Sequence, residues 1–290
     1  MRISDEISVN LPNFLGIGAE RSGTTWIYEC LKEHPEVFVS DEKELHFFTT
    51  AYDRGVTWYA EQFRDRGNRK VIGEISPEYL YKPEAPVRIK ETIPNVRMIV
   101  SLRNPIDRAY SQFGWEVLRK KHSYTFEEAL KKSPDYVEKG FYDEQINRFY
   151  RLFPRDQILI LFYEDLVRAP LVTIEKIYRF IGVDSTYIPK ILHIKKNRGM
   201  TKSDSVLFKM LFPVSTLMRS KKLLKYDTLV RVVRKIRQQK LTEKVLESVF
   251  GRFGSVHVNE HVRDELSSIY NQHNLALSLL VGRDVNEIWN

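Results

Sequence analysis

The segment Phe14–Ile27 combines a short apolar run with glycine and hydroxyl residues at the spacing of a phosphate-binding loop. It reads FLGIGAERSGTTWI, which favours a buried strand, a turn and a helix that begins near Thr24. Backbone N–H groups at such a helix start point towards an anion in the loop. Gly18 and Gly23 have the spacing of a Walker A loop, but Thr24 stands where an NTPase has its lysine, and Arg21 is the nearest cation. The pattern predicts a phosphate site without ATP or GTP hydrolysis. The alternative is a tight turn that binds nothing.

A second candidate phosphate site follows the apolar run Val96–Leu102. Arg103 comes at the end of this predicted strand, and Ser111 lies about two turns into the following helix. A guanidinium group binds phosphate oxygens bidentately, and a hydroxyl adds a neutral donor. Loops at the carboxyl ends of parallel strands meet at one edge of a sheet. Two phosphate sites at that edge predict a doubly phosphorylated nucleotide.

Strands and helices alternate along the first two thirds of the chain. This alternation predicts an α/β fold, a P-loop-like and mainly parallel sheet flanked by helices. The whole chain, 1–290, is predicted to be a single domain with a core at 14–183 and a helical C-terminal region. The predicted strands lie at 14–17, 37–39, 71–75, 96–102 and 157–162, and the predicted helices at 24–31, 52–63, 86–92, 105–119, 127–132, 142–152, 171–181 and 262–280.

Composition and charge narrow the class of protein. The 290 residues are 42% hydrophobic and 29% charged, which is typical of a globular chain. The net charge of +8 favours an anionic ligand, polymer or membrane surface. The single cysteine, Cys30, excludes an internal disulfide and is expected in the core. Neither a signal peptide nor a run of about 18 apolar residues is apparent, so a cytoplasmic location is expected.

A basic, amphipathic stretch occupies residues 219–240. Leu229, Val232, Val233 and Ile236 fall on one helical face, with basic residues around the rest. We interpret 200–260 as a helical region at the acceptor side or a lid, which would suit an anionic or membrane-associated acceptor at a membrane surface. The alternative is a solvated basic face on an ordinary helix.

Five motifs occur in an order that resembles sulfotransferases that use 3′-phosphoadenosine 5′-phosphosulfate (PAPS). The pattern is most similar to the heparan-sulfate sulfotransferase group and its bacterial relatives, over about 14–183 and again in the tail to Trp289. The motifs are Gly18–Thr25, Lys43–Phe48, Gly73–Tyr79, Arg103–Ser111 and Tyr163–Leu166.

The resemblance implies a nucleotide site with two phosphate-binding parts. Arg103 and Ser111 are expected to hold the 3′-phosphate of PAPS. The loop at Lys195–Gly199 is similar to one that closes over the nucleotide, with Arg198 as the contact. The residues implied for the 5′-phosphosulfate are Arg21, Ser22, Gly23, Thr24 and Thr25.

The resemblance also implies the catalytic groups. Glu44 falls at the position of the catalytic carboxylate, Arg21 would stabilise the leaving group, and His46 is the alternative base. No metal ion is expected. Glu74 would orient Arg21 or the acceptor side, or else only cap a loop. Ile75 stands where these relatives often carry lysine, which argues against a highly sulfated glycan acceptor.

The predicted acceptor carries a hydroxyl group on a sugar, a lipid-linked glycan or a small natural product. Two other functions compete with this prediction. One is a P-loop kinase or NTPase, which the missing Walker lysine disfavours. The other is a non-enzymatic binder of an anionic polymer, suggested by the basic stretch. Nucleic acid is not an expected partner because no stacking or groove-binding motif is apparent. The oligomeric state stays open.

Overall fold

A parallel β-sheet forms the centre of the molecule. The computed structural model describes residues 10–120, 124–194 and 259–289. Within them, five strands pair in the order β2-β3-β1-β4-β5, and every pair is parallel. The α/β fold class and all five predicted strands are confirmed. The strands are β1 (Phe14–Gly18), β2 (Val37–Val39), β3 (Val71–Ile75), β4 (Arg97–Leu102) and β5 (Ile158–Phe162).

Helices connect the strands and follow the last one. Each predicted helix is present, although the one predicted at 52–63 is divided into a 3₁₀ turn at Tyr52–Arg54 and a helix from Gly55. The α-helices are α1 (Thr24–Glu33), α2 (Gly55–Glu61), α3 (Ala85–Thr92), α4 (Pro105–Lys120), α5 (Phe126–Lys132), α6 (Asp135–Glu138), α7 (Tyr142–Tyr150), α8 (Tyr163–Arg168), α9 (Pro170–Ile181), α10 (Ile191–Ile194), α11 (Glu260–Val281) and α12 (Val285–Trp289). Sequence reasoning missed α6, α8, α10 and α12, because helices shorter than two turns carry too little periodicity to detect.

The sheet is buried on both faces, as expected for parallel strands covered by helices. Phe14, Leu15 and Ile17 of β1 are wholly buried, and Cys30 is a buried thiol as predicted. A second cluster joins α4 and α5 to the C-terminal helix α11, through residues such as Ile106 and Leu266. The same helix contributes Leu277 to the cluster that contains the sheet residues Leu15 and Ile17.

The chain divides into two compact units. One comprises Met1–Pro189 and Ser255–Asn290, and the other comprises Lys190–Gly254. The predicted basic region at 200–260 lies outside the described residues apart from its last two positions. The helices that the structure describes do not include one with the length and apolar composition needed to cross a bilayer.

The strand order brings the carboxyl ends of β1 and β4 side by side. After β1 the chain moves to the β2 side of the sheet, and β4 and β5 are added on the other side of β1. The Ala19 amide donates to the Ser101 carbonyl at 2.8 Å, which ties the two strand ends together. Ligands of open α/β sheets bind at such a point.

Close packing of β1 on β3 depends on a glycine. A Cβ atom on Gly16 would lie 2.7 Å from Cγ1 of Ile75, closer than two carbon atoms can approach. We expect Gly16→Ala to lower the free energy of unfolding by about 1–3 kcal/mol through overpacking. Ile75→Ala alone should cost about 2–5 kcal/mol through the cavity it leaves.

The double variant tests this explanation by urea denaturation. Because the two changes compensate in volume, its loss should be at least about 0.5 kcal/mol smaller than the sum of the single losses. Additive losses would show that Gly16 is required for another reason.

Candidate active site

The loop after β1 is shaped to bind an anion. Arg21 and Gly23 both have left-handed backbone, with φ values of 66° and 84°. Gly23 is the N-cap of α1, and no described side chain caps this helix start. The first N–H groups of α1 therefore retain their capacity to bind an anion. The remaining predicted loop residues are in place: Ser22 and Thr24 are buried, and Thr25 is partly exposed in the first turn of α1.

Arg21 and Arg103 lie together at the carboxyl ends of β1 and β4. Arg103 is 5% exposed, and its Nη1 donates to the Arg21 carbonyl at 3.2 Å. The Nε atom of Arg21 donates to Ser111 Oγ at 3.3 Å. Burial, followed by the charge of Arg103, lowers the pKa of Arg21 to about 10, so Arg21 is charged at neutral pH. Sequence reasoning paired Ser111 with Arg103, but the hydroxyl contacts Arg21 and thereby joins the two predicted phosphate sites.

Three further side chains surround these cations and were not predicted. Arg108 is fully buried between neutral partners, Gln112 Oε1 at 2.9 Å and the Tyr136 carbonyl at 2.5 Å. The Tyr163 ring lies 4.6 Å from the Arg103 guanidinium carbon, and the Trp115 ring lies 5.8 Å from that of Arg21.

A sequence signal for two of them existed in the helix spacing. Trp115 follows Ser111 by four residues on α4, and Arg108 precedes it by three, so all three share a helix face. The result is a cluster of three guanidinium groups, of which that of Arg108 is fully buried.

The loop that carries Glu44 and His46 lies on the other side of the site. Both residues have left-handed backbone, with φ values of 67° and 55°. Glu44 pairs with the neighbouring Lys43, and its side chain is 39% exposed. The charge of Glu20 and, to a smaller extent, that of Glu44 raise the pKa of Arg21 against the larger effect of burial, so the Glu44 carboxylate lies within electrostatic range of Arg21. The structure thus brings together the predicted base and the predicted leaving-group cation.

His46 is paired with a carboxylate rather than isolated. Its Nδ1 atom lies 2.8 Å from Glu78 Oε1, and Thr49 Oγ1 also donates to that oxygen. The hydrogen bond with Glu78 raises the pKa of His46 in spite of partial burial. His46 is therefore protonated at higher pH than an ordinary histidine. Glu78 gave no signal in the sequence, because its partner is 32 residues away.

Of the remaining predicted site residues, Glu74 is described by the structure and Arg198 is not. Glu74 contacts the Glu44 loop rather than Arg21, since it accepts a hydrogen bond from the Leu45 amide. Arg198 and its loop lie outside the described residues. Among the residues that the structure describes, no three His, Cys, Asp or Glu side chains form a group that could hold a metal ion.

Comparisons with known proteins agree with this architecture. The chain is 35% identical over 137 residues to the membrane-associated sulfotransferase kil1 of Dictyostelium discoideum, which covers 44% of this chain and 29% of that protein. It is 28% identical over 204 residues to human heparan sulfate glucosamine 3-O-sulfotransferase 3A1, which covers 67% of this chain and 50% of that protein. The chain thus spans half or less of these curated relatives.

A solved structure extends the likeness to almost the whole fold. The sulfotransferase from Alicyclobacillus acidocaldarius superposes with a TM-score of 0.69 at 21% identity, over 96% of this chain and 98% of that one. Residues 11–244 match the family described as the sulfotransferase domain. This match covers most of the chain and includes both loops of the site. The chain therefore belongs to the sulfotransferase domain family.

Proposed function

We propose that this protein transfers a sulfuryl group from PAPS to a hydroxyl group of an acceptor. The observation that carries the proposal is at the carboxyl ends of β1 and β4, where Arg21, Arg103 and the start of α1, which no described side chain caps, lie together with Glu44 within electrostatic range. This arrangement suits a nucleotide with two phosphate groups, whose sulfuryl group would lie between the phosphate-binding cations and Glu44. Family membership supports a sulfotransferase over a kinase, an NTPase or a polymer-binding protein.

The donor would span the joined phosphate sites. The 5′-phosphosulfate would lie on the loop residues from Arg21 to Thr25, and the 3′-phosphate would lie against Arg103 and Ser111. Arg108 would add positive potential from behind, since its described partners are neutral. A dianionic phosphate relieves the repulsion between neighbouring guanidinium groups, which favours binding.

The transfer itself needs positioning, a base and charge stabilisation. The acceptor oxygen attacks sulfur in line with the departing 5′-phosphate oxygen, so one S–O bond forms as the other breaks. The acceptor proton passes to Glu44. The negative charge that develops on the leaving phosphate is stabilised by Arg21 and by amides of the loop. The products are a sulfate ester and adenosine 3′,5′-bisphosphate (PAP).

Glu44 is favoured over His46 as the base on electrostatic grounds. A base must be unprotonated when the acceptor binds, and the pKa of His46 is raised by its hydrogen bond with Glu78. His46 is more suited to hold an acceptor oxygen through a donated hydrogen bond. The charge of Glu44 acts on the pKa of Arg21, so this carboxylate lies within electrostatic range of the leaving-group cation.

The acceptor is a hydroxyl compound that lacks dense sulfation. Ile75 is buried and packs on Gly16. It therefore adds no cation at the position where the heparan-sulfate sulfotransferase group often has lysine. The name of one relative includes membrane association, and residues 219–240 are strongly basic. These two observations support an anionic or membrane-associated acceptor reached from a membrane surface. A cytoplasmic location stays a prediction. Radiolabelled PAPS added to extracts of the source organism would identify the acceptor by its label.

Binding of PAP tests the nucleotide site without needing an acceptor. We expect Arg103→Ala to weaken PAP binding by about 1.5–3 kcal/mol, because it removes a charge-assisted hydrogen bond. Calorimetry in the presence of chelator measures this. Arg97→Ala is the matched control, since Arg97 is exposed at the opposite end of β4. Equal losses in both variants would contradict a specific phosphate contact.

The identity of the base can be decided by pH dependence. We expect Glu44→Gln to lower kcat by about 10²- to 10⁴-fold with unchanged PAP affinity. Glu78→Gln removes the carboxylate that raises the pKa of His46, so that pKa falls. With Glu44 as the base, the acid limb of the kcat profile stays in place in Glu78→Gln. A shift of that limb to lower pH would identify His46 as the base instead.

The basic stretch should affect the acceptor and not the donor. We expect replacement of four cations by Gln to raise the KM for the acceptor, with the largest change at low salt, and to leave PAPS binding unchanged. Steady-state kinetics over a range of salt concentrations provides the test. Equal kinetics at every salt concentration would leave only a solvated basic face. The four residues are Arg231, Arg234, Lys235 and Arg237.

A further inference from the structure

Glu74 is a charged residue that the proposed mechanism does not use. It lies in β3, is fully buried, and pairs with no lysine or arginine among the described residues. Burial raises its pKa, and hydrogen bonds to the carboxylate oppose that effect. A buried carboxylate is costly unless several donors satisfy it. The residues around Glu74 must therefore include several hydrogen-bond donors to its carboxylate.

The donors are three hydroxyl groups and one amide. Ser76 Oγ donates to Glu74 Oε2 at 2.6 Å, and Tyr79 OH donates to Oε1 at 2.6 Å. Tyr59 OH donates to Oε1 at 3.0 Å, and the Leu45 amide donates to the carboxylate. All but Tyr59 connect β3 and the turn after it to the loop that carries Glu44.

Two of these bonds hold the peptide groups on either side of Leu45. The Leu45 amide belongs to the peptide that follows Glu44 and is bound by Glu74 directly. The next amide, that of His46, donates to Ser76 Oγ at 3.2 Å, and the same hydroxyl donates to Glu74. Tyr79 extends this support, since its hydroxyl accepts the Phe48 amide at 3.4 Å.

The fixed peptides lie where the backbone is least favourable. Glu44 and His46 both have left-handed φ values, which cost free energy in residues with a side chain. Such a conformation persists only where the surroundings over-determine it. Leu45 between them is buried, which anchors the loop from the apolar side.

We propose that Glu74 is a positioning residue that acts through Ser76 and the Leu45 amide to hold Glu44 towards Arg21. This inference rests on the proposed function, in which Glu44 receives the acceptor proton. The competing explanation is that Glu74 only stabilises the end of β3.

Ser76→Ala and Glu74→Gln separate the two explanations. Ser76→Ala removes the hydroxyl that links Glu74 to the His46 amide. Glu74→Gln replaces one carboxylate oxygen by an NH₂ group, which cannot accept a hydrogen bond from the surrounding donors. Both should lower kcat about 10- to 100-fold, the effect of a small misplacement of a catalytic group, and leave the Kd of PAP unchanged. Hydrogen exchange at the Leu45 and His46 amides should become faster in Ser76→Ala. The kinetic probe is radiolabelled PAPS with the acceptor recovered from the extract screen.

Tyr178→Phe is the matched control for stability. The Tyr178 hydroxyl is buried and donates to the Cys30 carbonyl at 3.0 Å, so its removal deletes a comparable hydrogen bond away from the loop. We expect a similar decrease in Tm with normal kcat. If Glu74→Gln does not fold, Ser76→Ala decides the question by itself.

The outcomes distinguish the two levels of the proposal. Wild-type protein that binds PAP but transfers no label from PAPS would overturn the proposed function. Normal wild-type turnover with unchanged kcat in Ser76→Ala, or an equal loss in Tyr178→Phe, would overturn only the positioning role of Glu74.

Discussion

The repulsion between two neighbouring guanidinium groups, one buried and one partly exposed, is the constraint on which the site depends. Arg21 and Arg103 both lie at the carboxyl ends of β1 and β4, and their described hydrogen-bond partners are neutral groups rather than carboxylates. Arg103 binds the Arg21 carbonyl and lies against the Tyr163 ring. Carboxylates in those positions would neutralise the pocket and compete with a phosphate. The fold therefore bears an unfavourable charge arrangement that an anionic nucleotide would relieve.

The opposite side of the site has the reverse character. Its hub is Glu74, a buried carboxylate satisfied by hydroxyl groups and an amide. Cations there are already paired, as Lys43 is with Glu44. A cluster of guanidinium groups and a loop whose carboxylates are already satisfied thus lie within electrostatic range of each other. Glu44 of that loop acts on the pKa of Arg21 through its charge.

The end of the chain supports the donor wall from outside. Glu164 Oε1 accepts the Asn104 amide at 3.1 Å, next to Arg103, and the Asn104 side chain donates to the Trp289 carbonyl at 3.2 Å. Arg283 pairs with Asp165 at 2.7 Å, and His273 of α11 pairs with Asp143 of α7 at 2.8 Å. These contacts fix α11 and α12 against the turn that presents Arg103. Segments far apart in the sequence thus position the same arginine.

The sequence alone determined the elements and the chemistry of the loops. Apolar runs such as Val96–Leu102 specify buried strands, and Gly23 with its neighbours specifies an anion-binding helix start, because both are local properties of the chain. Only the tertiary structure decided which side chains meet. Ser111 contacts Arg21, 90 residues away, and His46 pairs with Glu78. Arg108 is buried near Arg21. Such pairs depend on the strand order β2-β3-β1-β4-β5, which results from packing of the whole sheet and which no local pattern encodes.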